Sequence, residues 1–132
     1  MLTYGLTKEL NMQFEETLEK VSVELKKSDL LVLSIIDLKE KFKEKLGIDF
    51  KKYVILGTYY PPNAYQAILA EENIGLIFPY NIALYERDKK TVLSIIKPTA
   101  IAELVDNLDL HQIILDMERK LRKIFDSIED RK

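Results

Sequence analysis

The sequence predicts an α+β fold: a single mixed, largely antiparallel sheet with helices packed mainly on one face. Three observations predict it. Strand-like runs alternate with helix-period segments through the first half of the chain. A hairpin pattern follows, with Asn81–Glu86 and Thr91–Ile96 flanking the polar turn Arg87-Asp88-Lys89-Lys90. The chain then closes on a long stretch with apolar residues at helical spacing, an order that suits helices layered on one sheet. At 132 residues, positions 1–132 are expected to form one domain. A domain of that size buries roughly two thirds of its unfolded surface and needs no disulfide or metal to hold a core.

Leu2 to Leu10 alternates loosely and reads as a first strand. Asn11 is placed to cap a helix over Met12–Lys27, with Phe14, Leu18, Val21 and Leu25 in one apolar stripe. Glu15 and Glu16 lie near the positive end of its dipole and Lys26 and Lys27 near the negative end. Leu30 to Ile36 is almost wholly apolar, which predicts a central strand buried on both faces. Asp37 follows, then Leu38, Phe42 and Leu46 at helical spacing, and Gly47 closes that short helix.

Tyr53 to Thr58 is the third strand. Pro61 and Pro62 cannot extend it but fit the first turn of a helix that continues over Ala64–Glu71. Ile74–Phe78 reads as a fourth strand broken at Pro79, resuming as Asn81–Glu86. Pro98 starts a short segment to about Val105. Asn107 or Asp109 caps a last helix reaching about Arg131, with Leu110, Ile114, Met117, Leu121, Ile124 and Ile128 in its stripe. Ile113, Leu121 and Phe125 widen that stripe, and a face wider than one sheet can hide predicts a homodimer.

Composition narrows the function classes. A hydrophobic content of 47% and a charged content of 32% are those of a soluble globular protein. The net charge of −2 argues against nucleic acid as a partner, because such modules carry a basic face. The one dense basic group, Lys39, Lys41, Lys43, Lys45, Lys51 and Lys52, is diluted by Glu40 and Glu44. The absence of cysteine excludes disulfides, thiolate nucleophiles and zinc–sulfur sites. No metal or cofactor is expected. No apolar run approaches the ~20 residues that span a bilayer, so no membrane partner is expected. The first residues carry no secretory pattern, and a cytoplasmic location is the expectation. Abundant Lys and Glu with few Gln match the thermophile pattern.

Candidate site residues gather around Leu56–Glu86, where two aromatic-plus-proline turns end two strand-like runs. Tyr59 and Tyr60 precede Pro61-Pro62, and consecutive residues of an extended chain point to opposite faces. Phe78-Pro79-Tyr80-Asn81 breaks a strand as a bulge does, and bulges re-aim side chains near sites. Tyr59, Tyr60, Asn63, Tyr80 and Asn81 are therefore expected to line a pocket for a small molecule at the strand ends, with Asp37 nearby. Phenols would supply stacking and hydrogen bonds, and Asn81 would fix orientation. Asp37 also opens the capping box Asp37-Leu38-Lys39-Glu40. An enzyme reading needs Asp37 as acid or base within reach of a pocket phenol. A purely structural or interaction role is the third reading.

His111 is the only histidine, so neither a triad nor a histidine metal site can be built. The pairs Glu15/Glu16, Glu71/Glu72 and Glu129/Asp130 fall at predicted helix ends, where dipoles and solubility account for them. No glycine-rich phosphate loop, nucleophile elbow or zinc-protease helix motif occurs.

One succession of residues carries a family likeness. It runs through Phe14-Glu15-Glu16, the strand ending in Asp37, Lys43-Glu44-Lys45-Leu46-Gly47, Tyr53-Val54-Ile55-Leu56-Gly57 and Pro61-Pro62-Asn63-Ala64. It continues through Ile74-Gly75-Leu76-Ile77-Phe78-Pro79, Tyr85-Glu86 and Pro98. In order and spacing this resembles the domain-of-unknown-function 302 family over about Leu2 to Lys123. The resemblance implies a small α+β domain of bacteria and archaea, often dimeric, with no established activity. It also implies that Tyr59 and Tyr80 stand where members commonly carry two cysteines. Tyr60 stands where they carry an asparagine, and Asn81 fits the pattern. Paired-thiol chemistry is thus closed to this chain, and the double replacement predicts that Tyr59 and Tyr80 are neighbours in space.

Overall fold

Strands β1 (Gly5–Leu10), β2 (Leu31–Asp37), β3 (Tyr53–Tyr59), β4 (Tyr80–Arg87) and β5 (Lys90–Ile96) form one sheet in the order β1-β5-β4-β3-β2. Every neighbouring pair is antiparallel. The coordinates are a computed structural model and describe residues 2–130. Five α-helices accompany the sheet: α1 (Phe14–Lys27), α2 (Leu38–Leu46), α3 (Pro61–Ala70), α4 (Pro98–Ala102) and α5 (Leu108–Ser127). The fold is α+β, as its sequence predicts.

The core lies between the sheet and helices α1 and α5. Leu56, Ile82, Leu84, Leu93 and Ile95 of the central strands meet Val21 and Leu25 of α1 and Met117, Leu121 and Ile124 of α5. These residues alternate along each strand, so one sheet face is apolar throughout. Each fully buried Leu or Ile contributes roughly 1.5–3 kcal/mol. A second, smaller cluster joins Ala67, Ile74, Ala102, Leu110 and Ile114, where α3 and α4 pack on the first turns of α5. The broad α5 stripe is consumed by these two clusters within a single chain.

Polar groups stitch the layers together. Thr91 donates from Oγ1 to the Met12 carbonyl at 2.7 Å, tying β5 to the start of α1. Glu118, nearly buried on α5, accepts from both the backbone N–H and the hydroxyl of Thr99 at the start of α4. Asn107 caps α5 by accepting from the Leu110 N–H, and its Nδ2 donates to the Ala70 carbonyl at 2.7 Å.

Several sequence expectations change. The first strand begins at Gly5, and α1 begins at Phe14 with Gln13, which makes no side-chain cap bond, in the N-cap position. Asn11 instead donates its backbone N–H to Asp130 Oδ1. Ile74–Phe78 holds no strand: Glu72–Leu76 is a 3₁₀ turn, where the Ile74 N–H bonds the Glu71 carbonyl and Ile77 bonds Ile74. Leu30–Ile36 is not a central strand. β2 is a sheet edge whose residues Leu31 to Ile36 are all exposed. The end expected near Arg131 lies outside the described residues, and α5 stops at Ser127.

Candidate functional site

The junction from β3 into α3 positions the candidate site. Tyr60 is extended at φ −112° and ψ 109° and takes the N-cap place of α3. Pro61 and Pro62 follow in the first turn, where a missing N–H costs nothing and the fixed φ suits the helix. The Tyr60 carbonyl accepts from the Ala64 N–H at 2.9 Å. Asn63 donates from Nδ2 to the Ile113 carbonyl at 2.7 Å, pinning α3 to α5. Its Oδ1 is buried without a hydrogen-bond partner, a costly state for an amide oxygen.

Two clefts meet at Tyr60. One, about 620 Å³, runs between the end of α1 and the start of β2, lined by Leu25, Lys26, Asp29 and Leu30 opposite Tyr60 and Pro61. The other, about 260 Å³, lies between Asn63, Gln66, Ile113, Asp116 and Lys120. The Lys120 ammonium sits 4.1 Å from the Tyr60 ring centre and donates to the Ser28 carbonyl at 3.2 Å. A cation over a phenol face in this geometry is worth roughly 0.5–2 kcal/mol. The place therefore offers an aromatic wall, an apolar floor and one lysine with one aspartate at the rim of each cleft.

The other predicted site residues are scattered. Tyr59 lies opposite Leu31 on β2 and packs edge-on against Phe78, with ring centres 5.8 Å apart. Tyr80 is buried in the core and also meets Phe78 edge-on, at 6.1 Å. The two tyrosines are thus joined through Phe78 but share no cleft. Burial pushes the Tyr80 phenol up to about 12, which keeps it neutral and apolar in character. Thr58 faces it across β3–β4 and donates to its carbonyl at 2.8 Å.

Asn81 points the other way, because neighbours on a strand alternate. It is exposed beside a shallow cleft of about 290 Å³ that includes the stacked rings of Tyr53 and Tyr85, 5.0 Å apart. Asp37 pairs with Val54, whereas Tyr59 lies five residues farther along β3, roughly 17 Å away at strand spacing. Its Oδ1 accepts from the Glu40 N–H at 3.1 Å and caps α2. The tyrosine pocket with Asp37 beside it is therefore not assembled, and the acid–base pair of the enzyme reading has no geometry to work in.

Gly57 shows why this end of β3 is so tightly built. A Cβ there would lie 2.4 Å from Ser34 Oγ and 2.9 Å from Pro79 Cγ. The peptide bond between Phe78 and Pro79 is cis, and the proline ring covers Gly57. Lys120, Lys26 and Asp29, which complete the clefts, escape sequence reasoning. Each reads locally as a solvated charge on a helix or turn, and only the packing of α1 beside α5 brings them to Tyr60. Among the described residues no group of three or more His, Asp or Glu is placed to hold a metal ion, and no helix is long and apolar enough to cross a membrane.

The antiparallel five-strand sheet, the helical layer and the Tyr-Pro-Pro-Asn junction define a small α+β domain of one recurrent type. The chain belongs to the family described as domain of unknown function DUF302, whose model matches residues 6–128. It is also similar to the crystal structure of an uncharacterised conserved DUF302 protein from Bacillus stearothermophilus. The two share 26% identity and superpose with a TM-score of 0.87 over 95% of this chain and 98% of that one. No curated protein matches the chain.

Proposed function

We propose that the chain acts as a single-domain, homodimeric binding module that takes a small molecule in the clefts at Tyr60. The observation that carries the reading is the placing of the Tyr60 ring. It is half-buried, forms a wall of both clefts and holds the Lys120 ammonium over its face. The larger cleft falls within the ~300–1,000 Å³ of ordinary ligand sites. Leu25, Leu30, Pro61 and the phenol suit a flat apolar body, and Lys26 and Lys120 suit an acidic group. Asn63 lines the smaller cleft beside Lys120. Of the residues picked from sequence, Tyr60 and Asn63 line these clefts, while Tyr59, Tyr80, Asn81 and Asp37 lie apart from them.

Native mass spectrometry of the protein as purified, repeated under denaturing conditions, tests the reading. A dimer with extra mass that is lost on denaturation, and absent from Tyr60→Ala, is the expected result. A dimer without adduct, and unresponsive to a library of small aromatic acids, would leave only the structural or interaction role.

A further inference from the structure

The segment from Leu31 to Tyr53 has an unusual burial pattern. It holds a strand and a helix, yet none of its residues is buried. Neither apolar cluster draws a member from it. Its side chains are not those of a solvated surface. Leu31, Leu33, Ile35 and Ile36 of β2, Leu46 at the end of α2 and Ile48 just beyond it are all exposed, Ile35 by 69%. Single exposed apolar residues are ordinary, but a contiguous group marks an interaction surface.

The two sheet edges differ in kind. β1 carries Thr7-Lys8-Glu9 at its middle, charges that discourage another strand from pairing. β2 reads Leu-Val-Leu-Ser-Ile-Ile before Asp37, without charge or proline to guard it. Its one irregularity is a bulge between Val32 and Ser34, which leaves Leu33 out of register with β3 and half exposed.

We infer that β2 is the interface of the homodimer, laid antiparallel against β2 of a second copy about a two-fold axis, with the α2 segments flanking the contact. This rests on the homodimer reading above and adds where the copies meet. A two-fold interface must be complementary to itself. The uncharged run Leu31–Ile36 meets its own copy with no like-charge contact, while the mixed Lys and Glu of α2 form a polar rim. The segment Leu31–Tyr53 is also about the size of one side of a standard interface, roughly 20–30 residues. In such a dimer β2 becomes a central strand of a continuous ten-strand sheet, which is what its apolar run predicts.

The chain has no cysteine, so one introduced thiol reports one place. Single cysteines placed in turn along Leu31–Ile36 should give a disulfide-linked dimer on mild oxidation only where β2 crosses the two-fold axis, because antiparallel self-pairing brings one position opposite its own copy, and Thr7→Cys on β1 should give none. In light scattering after gel filtration, the unmodified chain should have twice the chain mass. Ile35→Lys should have the single mass at the same concentration, with an unchanged circular dichroism spectrum. A dimeric Ile35→Lys together with no cross-link at any position of Leu31–Ile36 would overturn the β2 interface and leave the homodimer standing. A monomeric unmodified chain would overturn both. Should Ile35→Lys fail to fold, the cross-link pattern decides alone.

Discussion

At the scale of single residues, two positions carry sharp consequences. Gly57 is glycine because Ser34 and Pro79 occupy the space a Cβ would need. Gly57→Ala should destabilise the fold by about 1–3 kcal/mol, the cost of overpacking, measured as a lowered urea midpoint with unchanged slope. Tyr80 is the second. Its phenol is raised to about 12 by burial, so the folded state holds this proton more tightly than the unfolded state does. The resulting stability is fully present below pH ~10, the unfolded value, and is lost as pH rises through 10 towards 12. A titration followed at the phenolate absorbance band should show a late step, well above pH ~10, that belongs to Tyr80. In Tyr80→Phe that late step, and its share of the alkaline loss of stability, should disappear. Absence of that late step before unfolding would contradict the buried placement.

At the scale of elements, caps and edges separate structural residues from site residues. Asp37→Ala should cost about 1 kcal/mol through loss of the α2 cap and leave ligand uptake at Tyr60 unchanged. Equal loss of ligand would return Asp37 to the site. Asn107→Ala removes both the α5 cap and the bond to Ala70, and a loss of about 1–3 kcal/mol is expected in thermal or urea unfolding. Elements with local signatures were readable from the sequence: the α1 and α5 stripes, the β4–β5 hairpin, the Asp37 cap and the Gly47 stop. The rest depended on partners far along the chain. Ile74–Phe78 has the composition of a strand, but Gly75 and Pro79 give it no ladder to join, and Ile74 turns into the small cluster under α4 and α5. The residues that line the proposed clefts were half legible. Tyr60 and Asn63 announce themselves beside the two prolines, whereas Tyr80 and Asn81 differ only by strand parity, and Lys120 comes from a helix with no local mark.

At the scale of the whole molecule, the apolar run of β2 and its place at a sheet edge conflict within one chain. Hydropathy predicts the burial a segment finally has, and strand order decides whether the chain alone can provide it. A strand read as central and found at an edge is therefore an argument about assembly. The α5 stripe, by contrast, gives no reason for a partner, because its own chain covers it. Amide hydrogen exchange of β2 as a function of protein concentration tests this account most directly. Outward-facing amides between Leu31 and Ile36 should be protected at high concentration and lose that protection on dilution, while β1 amides should not respond. Rapid exchange of β2 at every concentration would contradict it.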